Sequence, residues 1–263
     1  MNKSHLDLFW KNISSLPYFR GFLRAVEGRY YQDINMTQPI LDLGIGDGHF
    51  NSVTFPNLIN VGIDPGLDEL KESKQKNGCL LHICGFGESL PFRNRYFSTV
   101  FSNSVLEHIE LLEPVLNEVN RVLKEKGLFI ITVPNDNFTQ NLSIGRMFNS
   151  LRLNRLAIIY QRFFNKISRH QHPDPISEWE KRLRLAGFNI LKSWNYFPKE
   201  SLKILEWGHL FGIPAWFSKK LFGKWVLVPT QWNLWIITSW LEKIYIKDQD
   251  SKDGAYTFFI LEK

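Results

Sequence analysis

An apolar run, Ile40–Leu43, breaks off into Gly44-Ile45-Gly46-Asp47-Gly48. A buried strand that ends in alternating glycines must turn sharply, because only glycine takes positive φ there without steric cost. Four further apolar runs end in comparable fashion: Leu58–Ile63 at Asp64-Pro65, Leu80–Ile83 at Cys84-Gly85, Thr99–Ser102 at Asn103-Ser104, and Gly127–Val133 at Pro134-Asn135. Helical spacing fills the gaps. Phe22, Leu23, Val26 and Tyr30 share a face within 19–32, and residues 68–76 read as a second helix. Val115, Leu116, Val119, Val122 and Leu123 share a face within 113–124. Strands alternating with helices predict an α/β fold, a doubly wound and mostly parallel sheet. Ligands of such sheets sit at the carboxyl ends of the strands.

The glycine spacing narrows the ligand. The dinucleotide fingerprint G-x-G-x-x-G would need glycine at position 49, where His49 stands. No Lys-Ser/Thr pair follows, so a phosphate-gripping P-loop is excluded as well. Asp64 ends the second strand, 22 residues past Asp42. A carboxylate in that place suits the two hydroxyls of a ribose. A tight turn without ligand at the glycines, and a helix cap at Asp64, are the plainer alternatives.

Composition bounds the class. The chain has 263 residues, enough for one α/β domain with additions, and with 44% hydrophobic and 22% charged residues it is globular rather than disordered. Charge is uneven: residues 1–140 carry 13 basic and 16 acidic side chains, net −3, and residues 141–263 carry 19 and 10, net +9. Eight of the nine tryptophans lie from Trp179 onward, so the second half is where a partner is expected. Two cysteines, Cys79 and Cys84, make neither a disulfide scaffold nor a zinc site and point to a reducing compartment. The start, MNKSHLDLFWKN, has no apolar core of a signal peptide. The apolar stretch Leu234–Leu241 falls far short of the roughly 20 residues that span a bilayer. A cytoplasmic protein is expected, with attachment to the inner face of a membrane as a further option.

The segments LDLGIGDGHF (41–50), VGIDPG (61–66), GESLPFRNRYFSTVFSNSVLEHI (87–109), NEVNRVLKEKGLFIITVPN (117–135) and HPDPISEWEKRLRLAGFNI (172–190) resemble, in order, the motifs of class I S-adenosylmethionine-dependent methyltransferases of the type 11 group. The likeness is close over 37–135 and looser over 172–197 and 254–263. It implies a Rossmann-like seven-stranded sheet of order 3-2-1-4-5-7-6, S-adenosylmethionine as cofactor, and methyl transfer (EC 2.1.1.-). Asp42, Gly44, Gly46 and Gly48 would wrap the methionine end. Asp64 and Pro65 would hold the ribose, and Asn103 and Ser104 would lie under the sulfonium. Many relatives place aspartate after the third strand to meet the adenine amine. Aligned on Leu90-Pro91-Phe92, that position is Phe86 here. Stacking on Phe86, backbone near Gly87, and Glu88 as replacement acceptor would then serve the adenine.

In this fold the seventh strand normally follows the sixth by a short hairpin. Here the sixth fits 188–197 and the seventh 255–262, with about 55 residues between, far beyond a hairpin loop. The expected organisation is an N-terminal helical cap (1–36), the cofactor domain (37–197 with 254–263), a helical Trp-rich insertion (198–253) as substrate-side lid, and a second rim segment (136–175). Trp232, Trp235, Ile236, Ser239, Trp240 and Lys243 fit one helical stripe, and Trp216, Lys219, Lys220 and Lys224 lie close in sequence. Trp beside Lys suits an anionic membrane surface or a lipophilic acceptor, whereas a stripe at helical spacing also suits core. Nucleic acid is disfavoured, because Lys and Arg are scattered.

For transfer to oxygen of a small lipophilic or amphipathic acceptor, the candidate bases are His170, His172, Asp174 and His108. Arg169 would hold an anionic group, and His209, Trp207 and Trp216 would line the acceptor. A metal at His170-x-His172-x-Asp174 is disfavoured by Pro173 and Pro175. The competing readings are a non-catalytic scaffold of the same fold and a membrane-surface module with a vestigial cofactor site.

Overall fold

The computed structural model describes residues 3–55, 57, 59–248 and 250–263, with the side chains of residues 213, 214 and 216 outside the description. In chain order the elements begin α1 (Lys3–Ser15), α2 (Tyr18–Gln32), β1 (Ile40–Leu43), α3 (His49–Thr54), β2 (Ile59–Asp64), α4 (Leu67–Gln75), β3 (Cys79–Cys84) and β4 (Phe97–Asn103). A 3-10 turn (Leu106–His108) leads to α5 (Leu112–Val122) and β5 (Leu123–Pro134). Then come α6 (Asn137–Gln140), α7 (Ser143–Ser150), α8 (Asn154–Ser168), α9 (Ile176–Leu185) and β6 (Asn189–Tyr196). The chain closes with α10 (Lys199–Phe211), α11 (Ile213–Phe222), α12 (Gln231–Lys247) and β7 (Tyr256–Glu262).

The seven strands form one sheet of order β3-β2-β1-β4-β5-β7-β6, the order that the family resemblance implies. Leu41 pairs with Val61 on one side and Val100 on the other, both in parallel. β7 runs antiparallel to β5 and β6, with Ile130 opposite Ile260 and Trp194 opposite Phe258. Side chains alternate between two cores. Ile40, Phe101, Ile130 and Phe258 face α1, α2, α10 and α12. Leu41, Val100, Phe129, Ile131 and Phe259 face α5 and α9. Both faces are apolar because both are covered by helices.

The third predicted helix stops two residues early. Leu123 opens β5 by pairing with Phe97, and Lys126 then takes φ 60° into Gly127. A buried Leu at helical spacing serves equally well as the first inward residue of a strand, and sheet pairing decides here. Leu58, where the second apolar run begins, lies outside the described residues.

Between β6 and β7 stand α10, α11 and α12, and the segment after β5 folds into α6, α7 and α8. Glu206 of α10 joins the two additions. Its fully buried carboxylate accepts the N–H groups of Ser143 and Ile144 at the start of α7, at 2.6 and 3.1 Å, and the Tyr160 hydroxyl of α8 at 2.8 Å. The orphan N–H groups of one helix are thus capped from another. α10 also sits directly on α2, where a Cβ on Gly208 would strike the Phe19 side chain. Among the described residues no helix is long and apolar enough to cross a membrane.

Candidate active site

β1, β2 and β4 end together at the point where the strand order reverses from β1, which is where doubly wound sheets form a crevice. A cavity of about 920 Å³ opens there. Every residue expected at the cofactor lines it: Asp42, Gly44, Gly46, Asp64, Pro65, Phe86, Gly87, Glu88, Asn103 and Ser104, with the exception of Gly48. Gly48 stands one step behind, at φ 70°, where a Cβ would strike Ser73. It shapes the turn from beneath.

Gly44, Gly46 and Gly48 all have positive φ. A Cβ on Gly44 would lie 2.5 Å from Val105, so this glycine permits protein packing. A Cβ on Gly46 would meet nothing within 4 Å. Its missing side chain leaves open cavity, a cradle for a ligand's close approach.

Asp64 staples two loops. Oδ2 accepts the Gly46 N–H at 2.9 Å and Oδ1 accepts the Gly66 N–H at 2.8 Å. Each oxygen keeps lone-pair capacity for a ribose hydroxyl. Phe86 is 62% exposed at the cavity, a flat apolar face available to a purine.

Asp42 is buried and accepts Asn51 Nδ2 at 2.8 Å. Burial pushes its carboxyl up to about 8, Asp64 adds repulsion, and Asn51 and Arg24 pull the other way. Unfolded, the same carboxyl titrates near 3.8. The folded chain therefore binds the extra proton, and stability contributed by this group is full below the unfolded value and lost as pH rises toward 8. At about 1.4 kcal/mol per unit, the loss reaches several kcal/mol. Asp42→Asn should flatten the fall in melting temperature between pH 5 and pH 8 relative to the parent. Parallel slopes in the two proteins would refute this account. Glu107 and Asp248 are raised in the same sense, to about 8 and about 6, so the difference between parent and variant is the informative quantity.

Asn103 and Ser104 turn toward a residue that sequence reasoning passed over. Glu27 of α2 is fully buried and accepts Arg24 Nη1 at 2.6 Å, Asn103 Nδ2 at 2.8 Å, Ser104 Oγ at 2.7 Å and the Tyr196 hydroxyl at 3.2 Å. Thr132 Oγ1 donates to Asn103 Oδ1 at 2.9 Å. Leu16, Arg20 and Arg24 line the cavity from the N-terminal helices, and Lys219 and Trp225 line it from the insertion. Arg20, Arg24 and Glu27 stand at i, i+4 and i+7 beside an apolar stripe. That polar stripe was the available signal.

Of the four candidate bases only His108 lines the cavity. Its Nδ1 donates to the Arg169 carbonyl at 2.9 Å, which leaves the lone pair on Nε2. Burial, the largest cause, lowers its pKa, so the ring is neutral at pH 7. The other three belong to structure. His170 packs edge-on against Phe138 at 4.6 Å, and burial pushes it down to about 3. His172 Nε2 donates to the Ile109 carbonyl at 2.9 Å, and Arg182 binds both His172 Nδ1 at 3.2 Å and Asp174 Oδ2 at 2.7 Å. This is a staple between the loop, α9 and the segment after β4. A His-x-His-x-Asp loop looks chemically active until the arginine ten residues on from His172 is seen to hold it. Among the described residues no group of three His, Cys, Asp or Glu is placed to hold a metal ion.

Arg169 lines the cavity as expected. Trp207 and His209 do not. Trp207 donates Nε1–H to Ser143 Oγ at 3.1 Å and stacks on Phe211, and His209 bonds the Leu205 carbonyl and packs against Phe19 at 4.7 Å. Both serve the joint between α10 and its neighbours. The Trp216 side chain lies outside those described. The tryptophan stripe of α12 is not core: Trp232, Trp235, Ile236 and Trp240 are 77, 66, 76 and 50% exposed. Only Leu241 and Tyr245 of that helix are buried.

Residues 41–131 match the family model Methyltransf_11, a methyltransferase domain. Over that segment the chain is similar to methyltransferase domains, and the strand order of the sheet agrees with that likeness. An uncharacterised protein of Methanocaldococcus jannaschii is 30% identical over 166 residues, 63% of this chain and 61% of its own length. The malonyl-[acyl-carrier protein] O-methyltransferase of Legionella pneumophila is 31% identical over 99 residues, 35% of each chain. The chain thus spans less than two thirds of the length of the curated relatives it matches. A solved Thermotoga maritima S-adenosylmethionine-dependent methyltransferase, described as a possible histamine N-methyltransferase, superposes with a TM-score of 0.58 at 14% identity, over 92% of this chain and 89% of that one.

Proposed function

We propose that this chain transfers a methyl group in line to an oxygen of a small lipophilic or amphipathic acceptor. The observation that carries this reading is His108, a neutral imidazole in the same cavity as the Asp64 loop and the glycine cradle, whose Nε2 makes no hydrogen bond among the described residues and lies 3.9 Å from Glu107 Oε1. S-adenosylmethionine, when bound, supplies an already activated sulfonium methyl. Asp64 and Pro65 orient the ribose and Phe86 stacks on the adenine, with Gly87 and Glu88 at its edge. Asp42 faces the cationic amino-acid end, which draws it into its ionised form. His108 Nε2 takes the proton that the acceptor hydroxyl loses as its oxygen attacks. Most of the acceleration comes from alignment and exclusion of water.

In this reading 37–197 and 254–263 form the cofactor domain, 1–36 cap it, and 198–253 with 136–175 form the lid. The lid's outer face supports a lipophilic acceptor taken from a membrane. Leu221 and Phe222 of α11 are 71 and 62% exposed, with Lys219, Lys220 and Lys224 beside them in sequence, and the α12 tryptophans are exposed as well. Indole favours the apolar–wet boundary and lysine favours anionic headgroups.

Calorimetric titration should give micromolar dissociation constants for S-adenosylmethionine and its demethylated product, and labelled methyl should pass into the lipid extract. A folded sample that binds neither would sink the enzyme reading. In co-sedimentation, vesicles containing phosphatidylglycerol should retain the protein, and Trp232→Ser with Trp235→Ser should weaken retention by about tenfold. No retention by either anionic or zwitterionic vesicles would remove the membrane part and leave the enzyme part standing, and equal retention by both would remove the preference for anionic headgroups.

A further inference from the structure

Charges of both signs line the cavity, Asp42, Asp64 and Glu88 among the acids and Arg20, Arg24 and Arg169 among the bases. Ion pairs account for several cavity charges: Arg24 with Glu27 at 2.6 Å, Lys219 with Glu72 at 3.1 Å, and Asp47 with Lys76 at 2.6 Å. Two cations are left over. Among the described residues, neither Arg20 nor Arg169 shows a carboxylate within ion-pair distance.

Arg20 makes no ion pair among the described residues, although the charge of Asp47 acts on it favourably. Its guanidinium lies over the Trp225 ring, 5.6 Å from the centroid, which fixes its plane while leaving its N–H fork unspent. It stands one helical turn before Arg24, and like charges at i, i+4 repel. A stacked guanidinium that lines a cavity and makes no ion pair keeps its N–H groups available to an anion. Arg169 stands at the end of α8 in the left-handed region, φ 57°, a conformation that a side-chain-bearing residue adopts at a cost. That backbone geometry presents its carbonyl to His108 Nδ1. One residue therefore sets the direction of the base through its main chain and lines the cavity through its side chain.

We propose that the acceptor carries an oxyanion, a carboxylate or a phosphate, held by Arg20 and Arg169, with the hydroxyl to be methylated presented to His108. This rests on the methyl-transfer reading above and names the class of molecule that the reaction takes. A planar bidentate fork suits either oxyanion, and burial beneath the lid strengthens the attraction. Together with the apolar lid, it describes an acceptor with an acidic head and a greasy body.

Titration of the full chain with decanoate, decyl phosphate and decanol, each with and without saturating S-adenosylhomocysteine, tests the idea. At least one anion should bind ten times more tightly than decanol, and the preferred anion tells carboxylate from phosphate. Arg20→Gln and Arg169→Gln should each weaken that anion by about tenfold, Arg20→Lys should restore part of the loss, and S-adenosylhomocysteine affinity should move less than twofold. Decanol binding as tightly as both anions would overturn the proposal. So would variants that bind the anions as the parent does, or an Arg20→Gln that loses S-adenosylhomocysteine, since Arg20 would then serve the cofactor's own carboxylate. Failure of the parent to bind S-adenosylhomocysteine would instead strike the methyl-transfer reading, and the anion titrations without it would still report on the arginines.

Discussion

Gly46→Arg is expected to raise the dissociation constant for S-adenosylmethionine by at least about 100-fold, some 2.7 kcal/mol, with far-ultraviolet circular dichroism unchanged. Position 46 is the one glycine of the loop whose added side chain would meet no protein atom within 4 Å. An arginine there leaves the packed interior alone and fills the cradle. Its backbone cost at φ 55° is about 1–2 kcal/mol, which a chain of this size tolerates. Gly44→Ala is the informative contrast, because its Cβ would collide with Val105 and should lower the melting temperature as well. Wild-type affinity in Gly46→Arg would mean that the cofactor does not approach this turn.

His108→Ala should lower kcat by about 10²–10⁴-fold while KM and cofactor affinity change little. The ring's Nε2 is the basic atom, and its loss removes the proton acceptor without disturbing the glycine loop. The pH profile separates this from a merely structural role. With the parent, kcat should rise as the imidazole deprotonates, at a pH below the usual histidine value, because burial disfavours the charged ring. The variant should lack that limb. Variants of His170 and His172 serve as controls, since both lie outside the cavity and should affect melting more than kcat. A loss under tenfold in His108→Ala would remove the base role and point to an acceptor oxygen that arrives already ionised.

The sheet was readable because each buried strand ends in residues that cannot continue it. Asp64, Asn103 and the three glycines mark strand ends and also line or shape the cavity. Local sequence carries both facts at once. The role of Glu27 was not readable: the polar stripe Arg20, Arg24 and Glu27 marks a face of the helix, but its partners Asn103, Ser104 and Tyr196 lie 76, 77 and 169 residues away. The His170–Asp174 loop misled for the opposite reason. Its residue types suit proton transfer, and only tertiary placement reveals that Arg182 already engages His172 and Asp174. The α12 stripe shows the limit of periodicity: spacing shows that the tryptophans share a face, and neighbouring helices decide whether that face is covered.

Glu27 has one more consequence. Seven residues before it, Arg20 lines the cavity where the acceptor is proposed to bind, while the Glu27 carboxylate grips Asn103 and Ser104, proposed to lie under the cofactor. Both contacts are thereby fixed to a single rigid rod, α2. In the proposed reading, an acceptor that engages Arg20 would act on the same helix that holds Asn103 and Ser104. Such coupling is a thermodynamic linkage: whatever factor the acceptor gains when the cofactor is in place, the cofactor gains equally from the acceptor. On that proposal, the helix that precedes the sheet would link the two binding equilibria.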